Sequence, residues 1–498
     1  MGYIGIDVGT SGVKIVYIES AEEIKYQVTK DYPIYHPEPG WSEQNPDDWW
    51  NATVEGLKEL FTFMSPDAVK GIGISGQMHG LVVLNKNGDV ITPAILWNDQ
   101  RTHEECSFLN EKIGKDFLST HTGNIALTGF TAPKILWLKK NKPNMMEEAR
   151  YFLLPKDYIG YKLTGNMFTD VSDASGTLYF NVKNRTWSHE MLDIIGIREE
   201  MLPKVYESFE IAGTVNEFAS AQIGVPVGVK VVAGAGDNAA GAVGSGILQE
   251  GTSLISLGTS GVVFSPKDSY SVDRHNSLHT FCDASGKWHV MGVMLSAAAS
   301  LKWWVEDVNK SDYDTLLLEA EKAVAGSNGL YFLPYLSGER TPHNDPYAKG
   351  TFVGLSSSHS RGEMTRAILE GVAFALHDSV HILKKLNIPF TQAKVIGGGT
   401  QSPLWMQILA DVFQVPLVTS SNTGGPALGA AILASVGNGA YSSLQDACKQ
   451  MDVESQVYEP MEQNTIIYSK MFPIFQKIYS SLKGVYEEIY LIEDSLLR

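Results

Sequence analysis

Two aspartates stand where a strand gives way to a run of small residues. Asp7 lies in "YIGIDVGTSGVKIVYIE" (Tyr3–Glu19), two residues before a Gly9-Thr10-Ser11-Gly12 turn. Asp237 lies in "VVAGAGDNAAGAVGSG" (Val231–Gly246), between an apolar strand and an alanine- and glycine-rich segment. A lone aspartate at a strand end ordinarily turns the chain or caps a helix. Around Asp7 the turn asks for more. Backbone N–H groups in such a turn make an anion-binding concavity, and the hydroxyls of Thr10 and Ser11 add donors. A carboxylate beside a phosphate is repelled unless a cation lies between them. The combination therefore points to a Mg²⁺–nucleotide site with Asp7 on the metal or its water shell. Lys14 in the next strand is either a solvated lysine or one that reaches a phosphate. Asp237 is either a helix cap or a general base for a substrate hydroxyl, and the glycines around it allow backbone to approach a ligand closely.

Two further stretches carry polar groups in accessible places. Gln77, Met78 and His79 sit between Gly76 and Gly80, which leave them open to a sugar or another polar ligand. "GGGTQSPLW" (Gly397–Trp405) joins a strand to a helix capped by Ser402; such a turn suits a nucleoside lying on a helix start. "TGGPALGAA" (Thr423–Ala431) is similar, but reads as close helix packing. "GIGISG" (Gly71–Gly76) fits a dinucleotide fingerprint only by letter, because a strand rather than a helix follows. His275 and His279 lack the glutamate and the helix of a zinc site. No G-x-x-x-x-G-K-[ST] occurs, so a phosphate cradle here is not a P-loop.

The elements that must position these residues alternate between strands and helices. Tyr3–Val8, Val13–Glu19 and "EEIKYQVTKDYPI" read as strands. "NPDDWWNATVEGLKELFTFM" reads as a helix, with Asn45 as cap, Pro46 in the first turn and Asp47 and Asp48 at the positive end of its dipole. "VKGIGISG" and "AILWND" are again strands. The pattern then repeats: "SLISLGTSGVVFS" (Ser253–Ser265) is strand, Gly-Thr-Ser-Gly turn, strand, with Ser256 in the place of Asp7. Strands in "HTFCDASGKWHVMGVM", a helix in "SAAASLKWWVED" and a long helix from Glu363 follow. Then come the strand "AKVIGGG", the helix "SPLWMQILADVFQ", the strand "VPLVTS" and the helix "PALGAAILASVG". The expected architecture is α/β, with two ribonuclease-H-like domains, residues 1–246 and 247–498, flanking a cleft.

Composition sets the limits. The 498 residues carry a formal charge of -17, which argues against nucleic acid as a general partner. The three cysteines form no C-x-x-C pair, which fits reduced thiols better than a disulfide framework. With no apolar run long enough for a membrane span and no leader pattern, a soluble cytoplasmic protein is expected.

Together the motifs resemble the FGGY carbohydrate kinases, a branch of the actin/hexokinase-like ATPases. "GIDVGTSGVK", "WSEQNPDDWW", "SGQMHG", "AILWNDQR", "LLPKDY", "SDASGT", "GAGDNAAGAVG", "SLGTSGV", "FLPYLSGERTPHNDPYAKG" and "GGGTQSPLWMQILADVF" fall in the family's order, as do "GFTAPKILWLKKN" and "GTFVGLSSSHSRGEMTRAILEG". The resemblance implies ATP-dependent phosphorylation of D-xylulose at its 5-hydroxyl, with Mg²⁺. It implies Asp237 as catalytic base and Met78, His79 and Asn238 as sugar contacts. It places Asp7 near the metal and γ-phosphate, with Asp237 also on the metal side, and Thr10, Ser11 and Lys14 in one phosphate loop. Gly258 and Thr259 match a second phosphate loop; Gly398, Gly399 and Ser402 match the adenosine site, bordered by Trp303. The expected partners are the sugar and ATP, with no nucleic acid or membrane and a homodimer left open. Two alternatives stand beside this: a kinase for another ketose or polyol, such as ribulose, gluconate or glycerol, and an actin-like ATPase switch.

Overall fold

The computed structural model describes residues 1–420, 424–451 and 455–497. Thr423, which begins the Thr423–Ala431 segment, lies outside them.

The opening stretch folds as β1 (Gly2–Val8) and β2 (Gly12–Ile18), followed by β3 (Ile24–Asp31). Helix α1 (Pro46–Leu60) starts as its sequence dictates, with the Asn45 side chain accepting from the Asp47 amide. Strands β4 (Val69–Gly76), β5 (Ile211–Thr214), β6 (Lys230–Val232) and the short β7 (Ala235–Gly236) complete the first sheet. Its order is β5-β6-β4-β1-β2-β3, with β7 also paired to β4. β1 runs antiparallel to β2 and parallel to β4. Being central, it is buried on both faces, which is why it reads as a continuous apolar run broken only by Asp7.

The second sheet repeats this plan. β8 (Gly251–Leu257) pairs antiparallel with β9 (Gly261–Lys267), and β10 (His279–Cys282) and β11 (Trp288–Met294) extend that side. On its other side β8 runs parallel to β12 (Phe390–Ile396), then β13 (Leu417–Ser420) and the antiparallel β14 (Ser455–Tyr458) follow. Thus β8 copies β1, with an antiparallel hairpin on one flank and a parallel strand on the other. The "AILWND" strand shrinks to Ala94–Ile95, and the rest of it becomes a loop. The long helix, α3 (Arg361–Lys385), begins at Arg361 rather than Glu363, because Ser360 and Glu363 form a reciprocal cap, and α4 (Pro403–Phe413) follows it.

The two halves interlock through a pair of helices. α2 (Asp237–Gly244) from the first half packs on α5 (Gly425–Gly437) from the second, and α5 lies on β1 and β4 of the first sheet. Glycines make this approach possible. A Cβ at Gly5 would stand 1.9 Å from the Ala427 carbonyl oxygen, and one at Gly73 1.9 Å from that of Ala430. No described helix is long and apolar enough to cross a membrane.

Candidate active site

The register of the first sheet brings the two aspartates to one edge. Asp7 is opposite Lys14 on β2 and Ser75 on β4, and Ser75 is opposite Ala235 on β7. Asp237 starts α2 two residues beyond Ala235, so both carboxylates flank the C-terminal end of β4. Burial pushes the Asp7 carboxyl up to about 7; the negative charge of Asp237 adds to this, and Ser75 and Lys14 oppose it. Burial also raises Asp237, to about 6, against the stabilising amides of Asn238. Asp7 Oδ1 is buried with no hydrogen-bond partner.

A divalent cation fits this arrangement. A buried, unpartnered carboxylate oxygen beside a second acid gains most from a positive charge. Among the described residues no group of three or more His, Cys, Asp or Glu side chains forms a metal cage. The donor set therefore matches a cation held by one or two carboxylates plus water and phosphate oxygens, the habit of Mg²⁺.

The two small-residue turns are built alike. In the first, the Gly9 amide donates to the Gly12 carbonyl (3.0 Å), while Tyr32 Oη donates to the Gly9 carbonyl (2.5 Å). Gln44 Nε2 donates to the Thr10 carbonyl (2.7 Å), and Trp97 Nε1 to Thr10 Oγ1 (3.0 Å). In the second, the Gly258 amide donates to the Ser260 carbonyl (3.1 Å), and the amides of Ala297 and Ala298 donate to the carbonyls of Thr259 and Gly258 (both 2.9 Å). Carbonyls are thus tied back, while the amides of Thr10, Ser11, Thr259 and Ser260 donate to no described protein atom. Ser11 is exposed, and Lys14, half-buried, has its ammonium held below the ordinary lysine range by burial, with Asp7 opposing.

A cavity of about 550 Å³ opens beside the second turn. Its wall includes Gly258, Thr259, Lys302, Gly398, Gly399 and Ser402. Ser402 Oγ accepts from the Trp405 amide (3.2 Å), so the same side chain caps the helix Pro403–Phe413 and borders the cavity. Trp303 stands off this wall. Its ring stacks on Phe332 at 6.3 Å, and Leu301 and Lys302 take the lining positions.

On the other side of β4, His79 is held in the left-handed region at φ 69°, a conformation uncommon outside glycine. Thr131 Oγ1 (3.1 Å) and Lys134 Nζ (2.8 Å) donate to its carbonyl. Its Nδ1 lies 2.7 Å from the Gly176 carbonyl. A carbonyl only accepts, so Nδ1 carries the proton and Nε2 keeps a lone pair. Burial holds the imidazole down at about 3, so it is neutral at physiological pH. Met78 is buried over the site; a Cβ on Gly236 would come within 2.9 Å of its Cγ, and one on Gly176 within 2.5 Å of His79 Nδ1. Asn238 turns its amide to Asp237: its backbone N (2.7 Å) and Nδ2 (2.8 Å) both donate to Asp237 Oδ1.

A buried network behind Asp237 had no assigned role in the sequence. Lys156 Nζ, in "LLPKDY", pairs with Asp157 Oδ1 (2.8 Å) and Asp170 Oδ1 (3.0 Å). Ser172 Oγ, in "SDASGT", donates to Asp170 Oδ2 (2.5 Å) and accepts from the Gly236 amide (3.0 Å). The network thus fixes the residue before Asp237. Its signal was a lysine and acids placed in otherwise apolar segments.

Residues 2–244 match the N-terminal domain of the FGGY family of carbohydrate kinases, and residues 253–437 match its C-terminal domain. The chain belongs to this family. The xylulose kinase of Escherichia coli is 40% identical over 483 residues, covering 96% of this chain and 99% of that one. That of Bacillus subtilis is 38% identical over 486 residues, 97% of each. The crystal structure of ligand-bound xylulose kinase from Lactobacillus acidophilus superposes with a TM-score of 0.94 at 28% identity, covering 98% of this chain and 99% of that one. This FGGY kinase has the two-domain α/β fold of the sugar kinases in the actin/hexokinase-like class, as its repeated strand–turn–strand units led one to expect.

Proposed function

We propose that this FGGY kinase transfers the γ-phosphoryl group of ATP to the 5-hydroxyl of D-xylulose, giving D-xylulose 5-phosphate and ADP. The observation that carries this reading is the pair Asp7 and Asp237, set at one sheet edge beside a turn of unpaired amides. The names of the full-length relatives favour D-xylulose as the sugar.

A sugar hydroxyl is a weak nucleophile, and phosphoryl transfer asks mainly for alignment and charge neutralisation. In our reading the nucleoside lies in the cavity at Gly398, Gly399 and Ser402. The amides of Thr10, Ser11, Thr259 and Ser260 hold phosphate oxygens from both sides of the cleft, with Lys14 near. Asp7, with Asp237 close by, would hold Mg²⁺, which when bound would offset the negative charge of the phosphates. His79 Nε2 accepts a hydrogen bond from the sugar, and Met78 packs beside it. Asp237 takes the 5-hydroxyl proton as the oxygen–phosphorus bond forms, while Asn238 orients its carboxylate. Closure of the two halves limits the entry of water.

The test is an ADP-release assay over a sugar panel. D-Xylulose should support the highest kcat/KM, with D-ribulose, gluconate and glycerol well below. A better rate with another sugar overturns the choice of substrate, and turnover independent of any sugar favours an ATPase switch.

A further inference from the structure

A second cavity, of about 540 Å³, lies between the two halves of the chain. Trp97 and Asn98 come to it from the first half, and Leu295, Glu339 and Arg340 from the second. Trp97 is the residue that donates to Thr10 Oγ1, so this cavity adjoins the first phosphate turn. Thr128, also on its wall, lies two residues before Phe130, whose ring packs on His79 at 4.7 Å, so the cavity lies toward the His79 side of the cleft.

Three polar groups on its wall make no hydrogen bond to a described protein group. Asn98 Oδ1 and Glu339 Oε2 are buried with no hydrogen bond, and Glu339 is only 2% exposed. The Arg340 guanidinium makes no hydrogen bond or ion pair with any described residue. The backbone beneath them is firmly fixed. Glu339 and Asp345 exchange amide-to-carbonyl bonds (2.9 and 2.8 Å), and the Thr341 amide donates to the Val293 carbonyl (2.9 Å). Glu339 Oε1 is already taken by the amides of Leu295 (3.0 Å) and Arg340 (2.7 Å). On the opposite wall, Arg101 clamps Asp99 with Nε (2.9 Å) and Nη2 (2.7 Å), fixing the residue after Asn98. Rigid supports that leave unsatisfied groups at the wall of a shared cavity describe a site suited to polar atoms from a ligand.

We propose that Asn98, Glu339 and Arg340 bind the carbonyl end of the sugar, the end remote from the hydroxyl that receives phosphate. The assignment rests on the substrate reading above. An open-chain ketose presents there a carbonyl oxygen flanked by hydroxyls. The guanidinium donates to the carbonyl oxygen, and the two side-chain oxygens across the cavity meet the hydroxyls. Burial pushes the Glu339 carboxyl up to about 8, against the amides of Arg340 and Leu295 and the Arg340 charge, which favour its ionised form. Because Asn98 and Arg340 belong to opposite halves, the bound sugar bridges them and draws the cleft together. Arg340 and Glu339 are then specificity-determining residues, acting on sugar and not on nucleotide.

The experiment compares D-xylulose with D-arabinitol, in which the carbonyl is reduced to an alcohol. Arg340→Met should raise the KM for D-xylulose by about 10- to 100-fold, leave the KM for ATP unchanged, and narrow the preference for D-xylulose over D-arabinitol about tenfold. Glu339→Gln and Asn98→Ala should raise the sugar KM less. If Arg340→Met does not fold, Arg340→Lys reads the same quantities. An unchanged sugar KM, or an equal loss toward ATP, in a variant with wild-type melting temperature overturns the assignment. Failure of the wild type to phosphorylate D-xylulose overturns the substrate reading instead.

Discussion

Asp7 and Asp237 flank the end of one strand, Val69–Gly76, and the charge of Asp237 helps to hold the Asp7 carboxyl near 7. In the proposed mechanism the two acids divide the work by environment. Asp237 keeps its charge more readily, supported by both nitrogens of Asn238. Asp7, with one oxygen unpartnered, gains more from a cation.

Removing the proposed base should separate chemistry from binding. Asp237→Ala is expected to lower kcat by about 10²- to 10⁴-fold, with ATP affinity kept within a few-fold by isothermal calorimetry. A base must be ionised to act, and Asp237 titrates at about 6. In the wild type, kcat/KM should therefore fall as pH drops through that value and level off above it. A profile flat down to pH about 4.5, near the ordinary carboxylate range, would count against Asp237 as the base.

Binding of the magnesium nucleotide should release protons. Asp7 titrates at about 7, so at pH about 6.5 much of it is protonated, and a cation favours its ionised form. Calorimetry in two buffers of different ionisation enthalpy should show a release approaching about one proton near pH 6.5 and far less at pH 9. Asp7→Asn should remove most of it. An unchanged release in that variant would place the proton elsewhere.

Adjacent glycines on the proposed nucleotide cavity should respond differently. A methyl group at Gly398 meets no atom within 4 Å, whereas one at Gly399 stands 2.3 Å from Leu257 Cδ2 and 2.5 Å from its Cγ. Gly398→Ala should leave the melting temperature unchanged and raise the KM for ATP several-fold. Gly399→Ala should cost about 1–3 kcal/mol of stability. Denaturant unfolding and steady-state kinetics distinguish the two.

The interlocking helices should tolerate no bulk at their crossing. A Cβ at Gly429 would lie 1.8 Å from the Ala240 carbonyl oxygen, and one at Gly244 2.3 Å from that of Gly425. Gly429→Ala forces α2 and α5 apart and is expected to cost at least about 1–3 kcal/mol, with a lower melting temperature. A normal melting temperature would show that the helices are less tightly apposed.

The sequence alone determined the repeated strand–turn–strand units, because alternating burial and small turn residues are local demands. It also marked Asp7, Asp237, His79 and the Gly397–Trp405 turn as candidates, because acids and glycines at strand ends are conspicuous there. By resemblance it also set Trp303 at the border of the nucleotide; in the fold its ring stacks on Phe332. Only the tertiary structure decided that helix Gly425–Gly437 rests on the first sheet, since no local signal says which sheet a helix will cover. It alone brought Asn98 to the same cavity as Glu339 and Arg340, and put Lys156 and Ser172 behind Asp237. Partners far apart in sequence leave no periodic trace; what joins them is the cost of burying charge and polar groups unpaired, which is settled only when the chain has closed around them.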